Sequence, residues 1–247
     1  MAKLVFTFDD GIKSHYDRVY PFLRDREVTA TFFVPGKRDL WLRQHRGHRE
    51  HDGADMVEGA LEWEEIVEMD AAGFEIGNHT YSHTGVKTVD RISLKAQIDS
   101  LEQLFASYGI RPSVTFCYPA YDYNEMACSL LKELKFKFAR TGYCFNGEGR
   151  KGEPIGGNCP KLRPECRYYI PGETNPFVVP TTGIFNDWYT ISNFTEDLNN
   201  TPESGVAVFG THGLRRDSRW ESFINMVDYA IDRGHKIINF RDMPLAV

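Results

Sequence analysis

Three short polar stretches of the chain carry side chains that could hydrolyse an amide or an ester. They contain the neighbours Asp9 and Asp10, the pair His79 and His83, and His212. Two imidazoles four residues apart lie on one face of a helical turn, and with one carboxylate they form a sensible ligand set for Zn²⁺ or another divalent transition metal. Such an ion supplies a nucleophile near neutral pH. The remaining carboxylate and histidine could then transfer the protons that hydrolysis requires.

Each stretch taken alone also has a purely structural interpretation. An Asp-Gly pair such as Asp10-Gly11 is typical of a turn or of a helix start. A histidine pair at this spacing is often accidental, and a single histidine at a strand end is more often a structural residue. What favours chemistry is that Gly11 lets the backbone turn sharply, so that both preceding carboxylates could face one pocket.

Strand-like and helix-like patterns alternate along the chain. This alternation predicts parallel strands joined by crossover helices. About seven strands favour a single α/β barrel over two domains. The alternative is an open doubly wound sheet, but the sequence has no glycine-rich G-x-G-x-x-G motif after the first strand to support it. The predicted strands are 3–8, 28–34, 74–78, 113–118, 136–140, 206–211 and 235–239, and the predicted helical segments are 14–25, 62–72, 90–108, 123–134 and 218–233.

The polar stretches fall at the ends of the predicted strands. Asp9 and Asp10 follow the first strand, His79 the third, Pro119 the fourth and His212 the sixth. In a parallel α/β barrel, active-site residues project from the carboxyl ends of the strands. We therefore expect these side chains to meet at one face of a single domain spanning 1–247, with insertions at about 36–61 and 141–186.

Two of these stretches resemble sequence motifs of a known family. The segments 7–11 (TFDDG) and 79–83 (HTYSH), the second preceded by GFEIGN, are similar to the first two motifs of the polysaccharide deacetylases, also called NodB-homology or carbohydrate esterase family 4 enzymes. His212 resembles the last motif of that family. The resemblance extends from residue 3 to about residue 240 and is weak between 141 and 186.

The resemblance implies a metal-dependent hydrolase that removes acetyl groups from sugars, built on a distorted (β/α) barrel with fewer than eight repeats. It implies that Asp10, His79 and His83 bind the metal. Asp9 would act as the general base, and His212 would be the general acid that protonates the leaving amine. Zn²⁺ is the first expectation for the metal, with Co²⁺, Mn²⁺ or Ni²⁺ as alternatives.

Two further family motifs are altered in this chain. Many members carry an arginine that pairs with the catalytic base, but Cys117 stands at that position, which leaves the partner of Asp9 unidentified; Arg140 or Arg163 could substitute. Ala120 stands at the usual tyrosine position and would offer its backbone N–H to the oxyanion. The resemblance therefore assigns oxyanion and substrate contacts to Ala120, Tyr121 and Trp188. Trp188 could wall the acetyl pocket or be a buried loop aromatic, and Ile184 replaces an aspartate of the same motif.

Composition and charge limit the possible partners and location. The net charge of -6 provides no general basic field for nucleic acid, and no apolar run reaches the ~18 residues of a membrane span. The first strand begins at residue 3 without a preceding signal peptide, and the five cysteines form no C-x-x-C pair. We therefore expect a cytoplasmic protein whose partner is an acetylated sugar or glycan, such as a precursor or a lipid-linked glycan of cell-surface polysaccharide synthesis.

Three other activities remain open at the level of the sequence. The same chemistry would serve an O-acetyl ester on a glycan, or a non-sugar amide such as a cyclic ureide. The missing arginine at Cys117 also keeps open an inactive relative that only binds glycans. The sequence leaves the oligomeric state and the role of the His- and Arg-rich insertion unassigned.

Overall fold

The computed structural model describes residues 1–38, 59–142, 167–184, 189–214 and 216–246. Within these ranges, eight strands form one sheet whose strand pairings are all parallel. The strand order is β5-β4-β3-β2-β1-β7-β6, and β8 pairs with β1. The strands are β1 (Lys3–Asp9), β2 (Thr31–Val34), β3 (Glu75–Asn78), β4 (Thr115–Cys117), β5 (Phe138–Arg140), β6 (Thr182–Gly183), β7 (Val206–Thr211) and β8 (Lys236–Ile237).

Helices follow most of the strands, as the alternating pattern predicts. A single π-helical turn (His15–Val19) leads into the first helix. The helices are α1 (Tyr20–Arg24), α2 (Trp63–Ala71), α3 (Arg91–Ser107), α4 (Glu125–Glu133), α5 (Ile191–Asn200) and α6 (Asp217–Asp232). Every helix in the described part of the chain is too short or too polar to span a lipid bilayer.

The predicted distorted (β/α) barrel is confirmed, with one correction to the second insertion. The sequence pattern predicts a loop across 141–186, but its later part joins the sheet. Val179 pairs in parallel with Arg140 at the β5 edge, and β6 pairs with β7. This segment therefore links the two ends of the strand path. The prediction missed β6 because two residues are too few to show a period.

The amphipathic pattern also predicts the buried face of α3, with one exception. Leu94, Ile98, Leu101 and Phe105 are buried as expected, but Ile92 is 81% exposed. Ile92 lies in the first turn, next to the N-cap Asp90, which accepts a hydrogen bond from the Ser93 amide at 2.7 Å. Ile92 therefore lies at an exposed helix start and does not join the buried stripe.

Alternation along the strands separates two apolar layers. Phe6, Phe8 and Phe32 pack outward against the helices, whereas Val5, Phe33 and their counterparts on β4, β5 and β7 pack inside the barrel. Successive strand residues point to opposite faces. Asp9 therefore lies on the same face of β1 as Val5 and points into the barrel. At the carboxyl edge of the sheet, the barrel interior is lined by polar side chains.

Candidate active site

The turn after β1 depends on left-handed backbone at two consecutive positions. Asp10 has φ 72° and Gly11 has φ 62°. A Cβ atom at Gly11 would lie 3.1 Å from carbon atoms of both Arg38 and Val34, so glycine also satisfies a packing requirement. The turn brings Asp10 to the carboxyl edge of the sheet beside the strand-borne Asp9.

The two histidines lie in an irregular turn after β3 and not on the helical turn that their spacing suggests. His83 and the intervening Thr80 both adopt left-handed backbone, at φ 54° and 61°. Asn78 supports this turn, because its side chain accepts a hydrogen bond from the Thr80 amide at 2.9 Å and donates one to Glu102 at 2.8 Å. The two imidazoles still converge, with ring centroids 4.7 Å apart.

Asp10, His79 and His83 meet in one cluster. Oδ1 of Asp10 lies 3.3 Å from Nε2 of His79 and 3.2 Å from Nε2 of His83. The three potential ligand atoms all lie within 4.8 Å of one another, and the side chains are at most 9% exposed. One carboxylate and two imidazoles in this arrangement are a donor set typical of Zn²⁺ and of other divalent transition metals.

The hydrogen bonds around the cluster leave lone pairs that could bind a cation. Nδ1 of His79 lies 2.8 Å from the carbonyl oxygen of Cys117. A carbonyl only accepts, so Nδ1 carries the proton and Nε2 of the neutral ring presents a lone pair to Asp10. Oδ1 of Asp10 is buried and receives no hydrogen bond from the described residues. Lone pairs that face one another in a buried site are stable only when a cation or a proton lies between them.

The electrostatics of the cluster are consistent with this requirement. Burial alone would raise the pKa of Asp10, but the neighbouring imidazoles, His83 first, hold it well below its usual range. Burial lowers the pKa of His83, because its interaction with Asp10 does not compensate for desolvation. Burial also lowers the pKa of His79, but the contacts with Cys117 and Asp10 outweigh this effect and raise that pKa well above its usual value.

Asp9 pairs with Arg140 inside the barrel. Nη2 of Arg140 contacts both carboxylate oxygens of Asp9, and the side chains are 1% and 2% exposed. Burial raises the pKa of Asp9, but the Arg140 charge more than offsets that effect and lowers it overall. Cys117, at the family's usual arginine position, lies beside the pair, with Sγ 3.0 Å from Nη2.

Gly210 on β7 provides the space for this guanidinium. A Cβ atom at that position would lie 3.0 Å from Nη1 of Arg140, 2.7 Å from Cγ2 of Thr181 and 3.2 Å from Oγ1 of Thr7. Any larger residue would therefore push against the arginine. The sequence suggested Arg140 as a substitute partner, but gave no indication that Gly210 accommodates it.

His212 lies next to the ligand cluster and contacts Tyr121. Its Nε2 is 3.8 Å from Oδ2 of Asp10 and 3.4 Å from the hydroxyl of Tyr121. The Tyr121 ring also lies over the Arg140 guanidinium, 5.8 Å from its central carbon, and Gly142 leaves room for that ring. Tyr121 thus contacts both the partner of Asp9 and His212.

The remaining predicted site residues are less closely involved. Ala120 follows β4 at the same edge, is exposed and has left-handed backbone with φ 56°. Trp188 and Arg163 lie outside the described residues. Ile184, which replaces a motif aspartate, is 6% exposed and joins the outer apolar layer.

Left-handed backbone at residues other than glycine concentrates around this site. Seven such residues occur in the described chain, and five of them belong to the turns that form the cluster: Asp10, Thr80, His83, Ala120 and Tyr121. This conformation costs free energy and tends to persist where surrounding structure holds it for a function. The concentration is consistent with this edge of the barrel being the candidate functional site.

Sequence reasoning missed one residue that contacts the site. His15, on the π-helical turn, is fully buried, and its Nε2 lies 2.7 Å from the carbonyl oxygen of His212. The only signal in the sequence is a histidine shortly after the Asp-Asp-Gly stretch. Nothing in that spacing separates it from an ordinary helix-start residue.

Comparison with known proteins agrees with the geometry. The family model for polysaccharide deacetylase matches residues 2–139, which is more than half of the chain. The chain belongs to the polysaccharide deacetylase family. The matched region contains Asp9, Asp10, His79 and His83, and it ends just before Arg140.

Individual members of the polysaccharide deacetylase family match part of the chain. YxkH of Bacillus subtilis (strain 168), whose name assigns it to the polysaccharide deacetylases, is 27% identical over 138 residues, covering 56% of this chain and 44% of YxkH. A chitin deacetylase of Pestalotiopsis sp is 29% identical over 130 residues, covering 53% of this chain and 38% of that protein. This chain therefore aligns with less than half of either relative.

Structural similarity covers more of the chain than sequence similarity does. The crystal structure of a carbohydrate esterase family 4 pseudoenzyme from Bacillus anthracis superposes with a TM-score of 0.60 at 14% identity. The match covers 98% of this chain and 64% of that one. This likeness establishes that the two chains share the polysaccharide deacetylase barrel.

Proposed function

We propose that the chain is a divalent-metal-dependent hydrolase that removes N-acetyl groups from a carbohydrate. The observation that carries the proposal is the convergence of Asp10, His79 and His83 beside the buried pair of Asp9 and Arg140. A purely structural histidine cluster does not require a second carboxylate such as Asp9, which is paired with a buried arginine. A metal-dependent hydrolase requires both a ligand set and an adjacent base.

Asp10, His79 and His83 would hold the metal ion, with Zn²⁺ as the first candidate. When bound, the ion would supply Lewis acidity toward the acetyl carbonyl and lower the pKa of the attacking water. The Cys117 carbonyl fixes the proton of His79 on Nδ1 and leaves Nε2 available as a ligand atom. Asn78 and Glu102 orient the turn that carries both rings.

Asp9 would accept the proton of the attacking water. Its carboxylate stays ionised in a buried position because Arg140 lowers its pKa. The same arginine keeps the carboxylate in one orientation at the carboxyl end of β1. A base held in this way needs little reorganisation when the reaction begins.

His212 would donate a proton to the leaving amine nitrogen. Its Nε2 lies beside Asp10 and the Tyr121 hydroxyl, and its side chain is 22% exposed, so a substrate could reach it. The backbone N–H of Ala120 stays our prediction for the oxyanion contact, because Ala120 is exposed at the same edge.

An N-acetylated sugar is the preferred substrate class. One curated relative is named a chitin deacetylase. Hydrolysis of an amide is accelerated most by a general acid, which His212 could provide, because the leaving amine must be protonated. An O-acetyl ester has a better leaving group and depends less on that acid. The cytoplasmic location and a role in cell-surface polysaccharide synthesis stay predictions from the sequence.

The presence of Arg140 argues against a relative that only binds glycans. The altered third motif raised that alternative, because Cys117 cannot neutralise a buried carboxylate. Arg140, on the neighbouring strand β5, contacts both oxygens of Asp9. The charge arrangement that a catalytic base requires is therefore present.

Release of acetate tests the proposal directly. Protein stripped with a chelator and reloaded with Zn²⁺ is incubated with N-acetylglucosamine oligomers and, in parallel, with an O-acetylated glycan. We expect metal-dependent acetate release from the amide substrate. Release from the ester alone would reassign the chain as an O-acetyl esterase, and no release from either would remove the hydrolase proposal.

Asp9→Asn separates catalysis from metal binding. The variant should lose turnover by at least about 100-fold, the range for loss of a general base, while Zn²⁺ binding measured by calorimetry is retained. Unchanged turnover would exclude Asp9 as the base.

A further inference from the structure

His15 lies in an apolar setting that leaves it one polar contact to the site. Its ring packs edge-on against Phe8 with centroids 5.3 Å apart, and it lies 5.6 Å from the ring of Phe32. Burial lowers its pKa to about 4, so the ring is neutral near pH 7. Its Nδ1 has no hydrogen-bond partner among the described residues.

Within the described residues, the side chain of His15 makes one hydrogen bond, and its partner is the backbone of His212, the proposed general acid. The His212 carbonyl only accepts, so Nε2 of His15 donates to it across 2.7 Å. The same segment reaches the loop a second time, because Arg18 donates to the carbonyl of Leu214 at 3.3 Å. His212 follows the end of β7, where the sheet no longer fixes the backbone, so these side chains replace the missing ladder bonds.

Burying a polar imidazole in this setting costs free energy. An unpaired ring nitrogen in an apolar environment is unfavourable because it loses its hydrogen bond to water, and an apolar side chain of similar size would avoid that cost. A histidine here is therefore hard to explain by packing alone. The contact with the His212 peptide accounts for it.

We propose that His15 is a positioning residue for His212: its hydrogen bond fixes the His212 peptide so that the imidazole stays directed at the leaving-group side of the site. This inference rests on the proposed function, because it takes His212 as the general acid. His15 touches neither substrate nor metal ligands in this role. It connects the turn that follows Asp10 to the loop that follows β7.

Two substitutions at His15 separate the hydrogen bond from packing. His15→Leu fills the space without a donor, and His15→Gln places an amide donor close to the position of Nε2. The neighbouring Tyr16→Phe is the matched control, because the Tyr16 hydroxyl donates outward to Glu68 at 2.6 Å. His15→Asn, whose shorter amide does not reach the carbonyl, replaces the leucine variant if that one does not fold.

Kinetics on two substrates give the first readout. With an N-acetylated sugar, His15→Leu should lower kcat about 10-fold or more while KM changes less than 2-fold, and His15→Gln should recover most of the rate. With an aryl acetate, whose leaving group needs no acid, all variants should match the wild type. In a His212→Ala background, His15→Leu should cause no further loss. An equal loss on both substrates, or a loss additive to that of His212→Ala, would overturn the proposal.

Nuclear magnetic resonance gives a readout that does not depend on activity. In Zn²⁺-loaded protein with labelled histidines, the His212 signal is assigned by its disappearance in His212→Ala. His15→Leu should shift or broaden that signal and leave those of His79 and His83 in place. An unchanged His212 signal would refute the positioning role. If the wild type hydrolyses neither substrate, the proposed function fails, and this measurement still decides the role of His15.

Discussion

Nη2 of Arg140 lies 2.5 Å from Oδ1 of Asp9 and also contacts Oδ2, although the two residues are 131 positions apart in the chain. Both side chains are withdrawn from water, so each charge depends on the other for compensation. The base of the proposed reaction is therefore held from β5, one strand beyond the position where Cys117 stands on β4.

Removal of the arginine should destabilise the fold as well as the site. Arg140→Gln leaves the Asp9 carboxylate buried without its counter-charge, which should cost about 3–5 kcal/mol of unfolding free energy. Asp9→Asn combined with Arg140→Gln should recover part of this loss, because neither charge remains. Denaturant unfolding of the two single variants and the double variant measures the coupling. Additive losses would mean that the pair contributes nothing as a pair.

The glycine opposite the arginine should be sensitive to a single methyl group. Gly210→Ala places a Cβ 3.0 Å from Nη1 of Arg140 and 2.7 Å from Cγ2 of Thr181. We expect a loss of about 1–3 kcal/mol from overpacking, together with lower turnover because the partner of Asp9 is displaced. Gly85→Ala is the matched control, because its added Cβ would meet nothing within 4 Å. Equal behaviour of the two variants would show that the space at Gly210 is not needed.

Zinc should stabilise the folded chain through the three clustered side chains. Binding to the native state alone adds about 4 kcal/mol at a free concentration of 1,000 times Kd. His79→Ala and His83→Ala should abolish the rise in Tm that Zn²⁺ causes in the wild type. His235→Ala is the control: its Nδ1 accepts a hydrogen bond from the Ala2 amide, next to β8. A full zinc response in His79→Ala would contradict the ligand assignment.

The contact between Tyr121 and His212 should affect turnover more than binding. Tyr121→Phe keeps the ring over Arg140 but removes the hydroxyl 3.4 Å from Nε2 of His212. We expect kcat for an N-acetylated sugar to fall by about 3–10-fold, in line with the ~1 kcal/mol of one neutral hydrogen bond, with a small change in KM. A rise in KM at constant kcat would instead assign the hydroxyl to substrate binding.

The buried His15 should make the folded chain sensitive to mild acid. Its pKa of about 4 lies below the value of about 6.5 in the unfolded chain, so between these values the unfolded state binds the extra proton. The stability that neutral His15 contributes is thus present above pH 6.5 and is lost as the pH falls toward 4. From pH 7 to pH 5 the loss should be about 2 kcal/mol.

Comparison of variants isolates this effect from other titrating groups. Unfolding of the chelator-treated wild type and of His15→Gln is measured at pH 7 and at pH 5. The wild type should lose about 2 kcal/mol more than the glutamine variant over this interval. The same acid sensitivity in both proteins would place the effect on other groups.

The order of elements and the ligand types could be predicted from the sequence because they depend on local patterns. The alternation of strand-like and helix-like segments placed seven of the eight strands in the described part of the chain, and Gly73, Gly109 and Gly234 have left-handed backbone directly after helices. The strand ends then placed Asp10, His79 and His83 at one edge, since the carboxyl ends of parallel strands share it.

The tertiary structure alone decided which distant side chains share the interior. Whether Asp9 meets Arg140, and whether Gly210 leaves space for it, depends on strand order and register, which bring residues from β1, β5 and β7 together. The link from His15 to the His212 carbonyl spans 197 positions and leaves no periodic signal. Local patterns record which face of an element is apolar, whereas long-range contacts depend on how the faces of different elements are packed against one another.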